Sequence, residues 1–184
     1  MLSIETADKL SASEYLEFER GSEYRHELYF GNLIEMPGNS ILHNRICMLL
    51  WAMLNRLFDN ENFTVVTETV KVRIPDGISF FYPDVIVSTA IRNMGSTYVI
   101  EDPLLIIEVL SDSTRKFDST DKFIQYSKIP TLQYYLLVEP EKHLIICYER
   151  TADDWISKPY MEMSDVISLN ALQVSFTLAD VYKA

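Results

Sequence analysis

The chain is poor in cysteine, in basic residues and in long apolar runs, and each shortage closes off a class of protein. Its only cysteines, Cys47 and Cys147, make no disulfide framework. They lie far apart in apolar surroundings and read as reduced thiols packed in the interior. The three histidines, His26, His43 and His143, are scattered and no Cys-x-x-Cys occurs, so a structural zinc site is not expected. No apolar stretch approaches the roughly 20 residues of a membrane span, because even Leu104-Leu105-Ile106-Ile107-Glu108-Val109-Leu110 is broken by an acid. Met1-Leu2-Ser3-Ile4-Glu5 lacks the basic and apolar regions of a signal peptide. A cytoplasmic location without a membrane partner is the expectation. Basic residues number 16 against 27 acidic ones, a formal charge of −11, so the field of the whole molecule repels DNA. A nucleic-acid function would need a local basic site, a metal ion or an assembly that concentrates positive charge.

What is present describes a globular chain. Nearly half of the residues are hydrophobic and aromatics are abundant, which rules out disorder. A length of 184 residues suits one domain over 1–184 with a sizeable core. Ser11-Ala12-Ser13-Glu14 caps a short helix, and the alternation of residues 24–36 around Phe30-Gly31-Asn32 reads as a hairpin. Ile46, Leu50, Met53, Leu54 and Leu57 recur at helical spacing and predict a helix over residues 40–58 with one buried stripe. The β-branched residues of 63–74 give one or two strands, ended by the turn Pro75-Asp76-Gly77. Residues 104–110 have the pattern of a central strand buried on both faces. A helix over 115–128, stopped by Pro130, precedes strands at 134–138 and 144–148. Edge strands and a terminal turn complete the tail. The expected class is α/β of the α+β type, a mixed β-sheet flanked by helices.

Two acids stand where strands should be apolar. In Tyr82-Pro83-Asp84-Val85-Ile86-Val87 the proline forces extended geometry on Tyr82, so Asp84 enters its strand in a defined orientation. The plain alternative is a strand-initiating turn residue. Glu108 interrupts an apolar strand where a β-branched residue would be cheaper. It is either paired with a buried basic side chain or compensated by a metal ion. On adjacent strands the two carboxylates would raise the pKa of at least one, which Mg²⁺ relieves by binding one or two carboxylates plus water and phosphate. On the helix that follows, Arg115, Asp118, Lys122 and Gln125 share a face at a period of 3.6, with Phe117, Thr120 and Ile124 opposite. That polar stripe is either a solvated side or is aimed at the metal site. In the second case Lys122 orients water or stabilises the phosphoryl group, with Gln125 in support. Glu27 is a third metal-shell carboxylate or an exposed strand acid paired with Arg25 or a lysine. His43, in line with Ile46 and Leu50, reads as a hydrogen-bonded core histidine.

Together, Glu27-Leu28-x-x-Gly31-x-Leu33-Ile34-Glu35-Met36, His43, Pro83-Asp84-Val85, Ile107-Glu108-Val109-Leu110-Ser111, Ser113-Thr114-Arg115, Asp118, Lys122 and Tyr126 resemble the Uma-two family over about residues 5–183. The resemblance implies a restriction-endonuclease-like fold with a PD-(D/E)XK nuclease core. It also implies Asp84 and Glu108 as metal ligands, with the carbonyl of Val109 as a backbone ligand. Three positions depart from the pattern. Leu110 occupies the usual lysine position, so Lys122 is implied as the migrated lysine. Asp112 replaces a common proline, and Gln133-Tyr134-Tyr135 stands where the family has Glu-Tyr-Trp.

The leading expectation is an Mg²⁺- (or Mn²⁺-) dependent endonuclease acting on DNA, with catalytic residues Asp84, Glu108, Lys122, Glu27 and Gln125. The alternative is an inactive nuclease-fold homo-oligomer, such as a dimer, serving as a scaffold; the acidity and displaced lysine motivate it. A third is a subunit that cuts only with a separate DNA-targeting partner.

Overall fold

The computed structural model describes residues 9–59, 61–91 and 98–182, together with the backbone of 3–4. The expectation about residues 1–5 therefore falls largely outside the described residues. Helix α1 (Ala12–Gly21) begins with a capping box: Ser11 Oγ accepts from Glu14 N, and Glu14 accepts from Ser11 N at 2.9 Å. Strands β2 (His26–Tyr29) and β3 (Asn32–Glu35) form the expected hairpin, and β1 (Ser3–Ile4) adds to its edge. Phe30 and Gly31 both have positive φ (49° and 83°), the backbone of a tight two-residue turn. A side chain at Gly31 would also collide with Lys9 Cβ at 2.8 Å.

Helix α2 (Ile41–Leu57) is capped by Ser40, whose Oγ accepts from His43 N at 3.1 Å. Five strands follow: β4 (Phe63–Thr67), β5 (Lys71–Arg73), β6 (Phe80–Phe81), β7 (Val85–Thr89) and β8 (Val99–Ile100). The central strand β9 (Pro103–Val109) leads into a helical segment made of α3 (Arg115–Phe117), a π-turn (Asp118–Lys122) and α4 (Phe123–Tyr126). The chain then runs through β10 (Tyr134–Glu139), β11 (Leu144–Arg150) and β12 (Trp155–Tyr160). It ends with the hairpin β13 (Val166–Leu169) and β14 (Val174–Thr177) and the short helix α5 (Leu178–Tyr182).

The class is mixed α and β as expected, but the strands divide between two six-stranded sheets and the separate β13-β14 hairpin. The principal sheet has the order β12-β11-β10-β9-β7-β4, and the other β1-β3-β2-β6-β5-β8. Residues 63–74 are thus two strands in different sheets, separated where Glu68 takes a left-handed backbone (φ 33°). The parallel β9–β10 pair, bridged by the helical segment, lies at the centre of the principal sheet.

Alternation along β9 sorts the core. Leu105, Ile107 and Val109 pack with Ile46, Leu50 and Leu54 of α2, and with Val181 of α5. Ile106 faces the other way, onto Phe117, Tyr126, Tyr135 and Phe81. Glu108 shares that second face by the two-residue period, so its carboxylate enters an aromatic layer beneath the helical segment.

The helical segment corrects the 3.6-residue count. The π-turn widens the helix by one residue per turn and brings Phe117, assigned to the far face, into the core beside Asp118, Lys122 and Gln125. Arg115 departs from the stripe and pairs with Glu139 and Asp112, while Ile124 stays exposed. The stripe of Asp118, Lys122 and Gln125 is buried, not solvated.

Candidate metal centre

Two strand ends bring the acids together. In the antiparallel β7–β9 pair Val85 lies opposite Ile107, so Asp84 and Glu108 stand one step further along, side by side. Asp84 N donates to Glu108 Oε2 at 3.4 Å, and Val109 N donates to Asp84 Oδ2 at 2.7 Å. Both side chains are buried, yet Asp84 lines a cleft of about 680 Å³ with Glu68, Arg25, Tyr82 and the N-terminal residues of α2.

Lys122 occupies the far side of Glu108. Its ammonium lies 2.8 Å from Glu27 Oε1, 3.2 Å from Glu108 Oε1 and 3.2 Å from Asp118 Oδ1. Tyr126 donates its hydroxyl to the same Glu108 oxygen at 3.0 Å. Asp118 Oδ1 pairs with Lys122 by charge but not by hydrogen-bond direction, and is the buried side-chain oxygen left without a hydrogen bond among the described residues. Phe81 and Phe117 turn their ring faces to the ammonium at 5.8 Å.

One cation cannot neutralise three buried carboxylates. Burial pushes the Glu108 carboxyl well above the ordinary range. Lys122 pulls it down, but Asp118, Asp84 and Glu27 push it up again. Glu27 is raised for the same first reason. Burial alone would strip Lys122 of its proton, yet Glu108, Glu27 and Asp118 hold it well above its usual value. Both directions have one origin: the carboxylates favour the charged lysine, while burial and mutual repulsion disfavour the charged forms of Glu27 and Glu108.

On the cleft side Asp84 meets His43. Nε2 of the imidazole lies 3.3 Å from Asp84 Oδ2, and Nδ1 lies 3.5 Å from Cys47 Sγ. Burial opposes protonation of His43. The Asp84 hydrogen bond and charge, with a hydrogen bond to the Val109 backbone, outweigh it and leave the imidazole raised.

The structure therefore brings Asp84, Glu108, Val109, Lys122 and Glu27 into one cluster. Glu27 is a buried partner of Lys122 and an acceptor for Tyr82 N, not an exposed strand residue. Gln125 is buried nearby, but its contacts run to Lys128 Nζ (2.7 Å) and Tyr29. The sequence reading missed Glu68, which packs with His43, Cys47 and Asp84, and it placed His43 in the core without its tie to Asp84. The i, i+4 spacing of His43 and Cys47 on α2 was the available signal. Glu68 offered only an acid interrupting a β-branched run.

A divalent cation fits this cluster. Asp84 on the cleft wall and Glu108 just behind it converge, and the three carboxylates around Lys122 outnumber its single charge. The Val109 carbonyl is engaged with His43, while its N–H orients Asp84.

A two-layered fold with paired acids at the ends of adjacent central strands defines a restriction-endonuclease-like protein. The family model described as "Putative restriction endonuclease", Uma2, matches residues 12–180, and the chain belongs to that family. It is similar to two uncharacterised proteins of Synechocystis sp. The first, slr1290, is 33% identical over 95% of this chain and 92% of its own length. The second, sll1609, is 29% identical over 95% of this chain and 100% of its own. In fold it matches the crystal structure of a "putative nuclease" of the DUF820 group from Anabaena variabilis. The TM-score is 0.78 at 16% identity, covering 94% of this chain and 97% of that one.

Proposed function

We propose that this protein is an Mg²⁺- or Mn²⁺-dependent phosphodiesterase that cuts DNA. The observation that carries the reading is the pairing of Asp84, which lines the cleft, with Glu108 just behind it, and Lys122 3.2 Å from Glu108. Asp84, Glu108 and the Val109 carbonyl would hold the ion. A bound divalent cation acidifies water and offsets charge on the scissile phosphate. Asp84 is preset for this role by the Val109 N–H, which fixes its carboxylate before any ligand arrives. Lys122 supplies a fixed positive charge next to Glu108, and Glu27 anchors that ammonium at 2.8 Å. Gln125, expected to support Lys122, instead engages Lys128 and Tyr29 and is left out of the catalytic set. Arg25 and the N-terminus of α2 offset part of the charge of Glu23, Glu68 and Asp84 in the cleft lining, which stays acidic like the whole chain at −11, so a bound cation would have to supply the local attraction for phosphate. A separate targeting partner, or a dimer that joins two such clefts, would supply the remaining attraction for DNA.

The test is Mg²⁺-dependent nicking of supercoiled plasmid by the wild type and by Asp84→Ala and Glu108→Ala. Activity lost in both folded variants supports the reading, and equal activity in all three overturns it. One observation favours the inert homo-oligomer instead: Lys122 and the Tyr126 hydroxyl both reach Glu108 Oε1, a protein-only compensation for part of its burial. Calorimetric titration separates the two. Mg²⁺ or Mn²⁺ binding that disappears in Asp84→Ala belongs to the nuclease, and absence of binding belongs to the scaffold.

A further inference from the structure

The surroundings of Glu108 and of Asp84 carry different donor atoms. Around Glu108 the donors are all oxygens and a lysine already sits among them. Around Asp84 a thiol, an imidazole and two carboxylates each offer a ligand atom, and these four atoms lie within 4.8 Å of one another. The 3.3 Å between His43 Nε2 and Asp84 Oδ2 matches the edge of about 3.3 Å expected for a tetrahedron with bonds of about 2.0 Å, while Cys47 Sγ lies 3.5 Å from the other ring nitrogen, Nδ1.

From this donor set we propose that His43, Cys47, Glu68 and Asp84 form a second cation position, selective for a borderline transition metal of the Zn²⁺ or Co²⁺ class over Mg²⁺. Nitrogen and sulfur donors discriminate strongly against Mg²⁺, which takes oxygen ligands in octahedral geometry. The backbone is arranged for the purpose. Glu68 is held at a φ of 33° by Arg25 Nη1 donating to its carbonyl (2.8 Å) and by its own N–H donating to the Asp84 carbonyl (3.3 Å). That twist turns its side chain to the cleft, where Glu68 and Asp84 give an ion its entry path. His43 and Cys47, one helical turn apart on α2, close the site from below. Binding replaces the thiol proton by the metal and releases that proton to solvent. Asp84 is shared with the proposed nuclease centre, but the new position does not require that the protein cut DNA.

The test is a Co²⁺ titration of the full chain read by absorption. Wild type and Glu108→Gln are expected to give intense tetrahedral d–d bands with a thiolate-to-cobalt charge-transfer band. Zn²⁺ in stoichiometric amount should bleach them, and millimolar Mg²⁺ should not. Cys47→Ser should lose the charge-transfer band, and Glu68→Gln should weaken Co²⁺ at least tenfold. Glu68 is only partly buried, so Glu68→Gln decides the matter even if Cys47→Ser does not fold. A pale octahedral spectrum in wild type, or an affinity unchanged by Glu68→Gln, overturns the proposal. Loss of the bands in Glu108→Gln would also overturn it, by assigning the ion to the Asp84–Glu108 centre.

Discussion

Two acids side by side at the ends of neighbouring strands, Glu108 on β9 and Asp84 just before β7, solve the problem of buried charge in opposite ways. The Glu108 half encloses its counter-ion: Lys122 is buried among Glu27, Glu108 and Asp118 and shielded by aromatic rings. Among the described residues the Asp84 half has no lysine or arginine paired with its carboxylate. It relies on an imidazole and a backbone N–H and stays open to the cleft. A side chain cannot leave its cluster, whereas an ion can exchange. The first half is therefore built to be permanent and the second to be loaded.

The largest expected effect breaks the permanent half. Lys122→Met leaves three buried carboxylates without their cation, and removing one partner of a buried pair costs about 3–5 kcal/mol. Urea unfolding should show a loss in that range. His43→Gln, at the open half, should cost about 1.5–3 kcal/mol, the scale of one hydrogen bond to a charged group. Equal losses in the two variants would erase the distinction between the halves.

Metal addition should sharpen the contrast. An ion that binds only the folded protein stabilises it by about 2.7 kcal/mol at a hundredfold excess over its dissociation constant. Thermal melts with Mn²⁺ should show this gain in the wild type. Asp84→Ala should abolish it, whereas Glu27→Gln, on the permanent half, should leave most of it. A gain retained in Asp84→Ala would move the ion away from the open half.

How much of this was legible in the sequence depends on how local each feature is. Strand β9, helix α2 and the Pro83-Asp84 entry are written in runs of neighbouring residues, and the structure returns them with boundaries close to those expected. The strand pairing that sets Asp84 beside Glu108 follows from the same runs. The Lys122–Glu27 contact joins residues 95 positions apart in different layers, and no local pattern encodes it. The π-turn escaped because a period of 3.6 was assumed through Asp118–Lys122, where the backbone departs from it. The division into two sheets escaped for a similar reason. It turns on the left-handed backbone of Glu68, a residue type that gives no sequence signal for positive φ.

Acidity offers a smaller lever on the permanent half. Burial raises the carboxyls of Glu27 and Glu108 above their unfolded values. For an acid shifted upward, the stabilising protonated form is fully present below the unfolded pKa and is lost as pH rises through the folded one. Chelator-treated protein should therefore lose stability as pH climbs from the ordinary glutamate range. Denaturation midpoints measured from pH 4.5 upward in about half-unit steps check the slope. Mn²⁺ should flatten it, because a cation at the cleft floor favours the ionised carboxyls. A slope of opposite sign would mean that Lys122 dominates the balance.

The smallest effect is the most discriminating, because it should separate stability from binding at one position. Glu68 carries a left-handed backbone, which costs a non-glycine residue roughly 1–2 kcal/mol. Glu68→Gly removes that strain but adds unfolded-chain entropy of about 0.5–1 kcal/mol. The net expectation is a gain of about 0.5 kcal/mol in denaturant unfolding of the metal-free protein. The same variant lacks a carboxylate beside Asp84 and should bind transition metal more weakly than the wild type. A residue kept at a strained backbone for the sake of its side chain gives up stability for a function. If Glu68→Gly neither stabilised the protein nor weakened the metal, Glu68 would be a turn residue only, and the open half would be left with His43, Cys47 and Asp84.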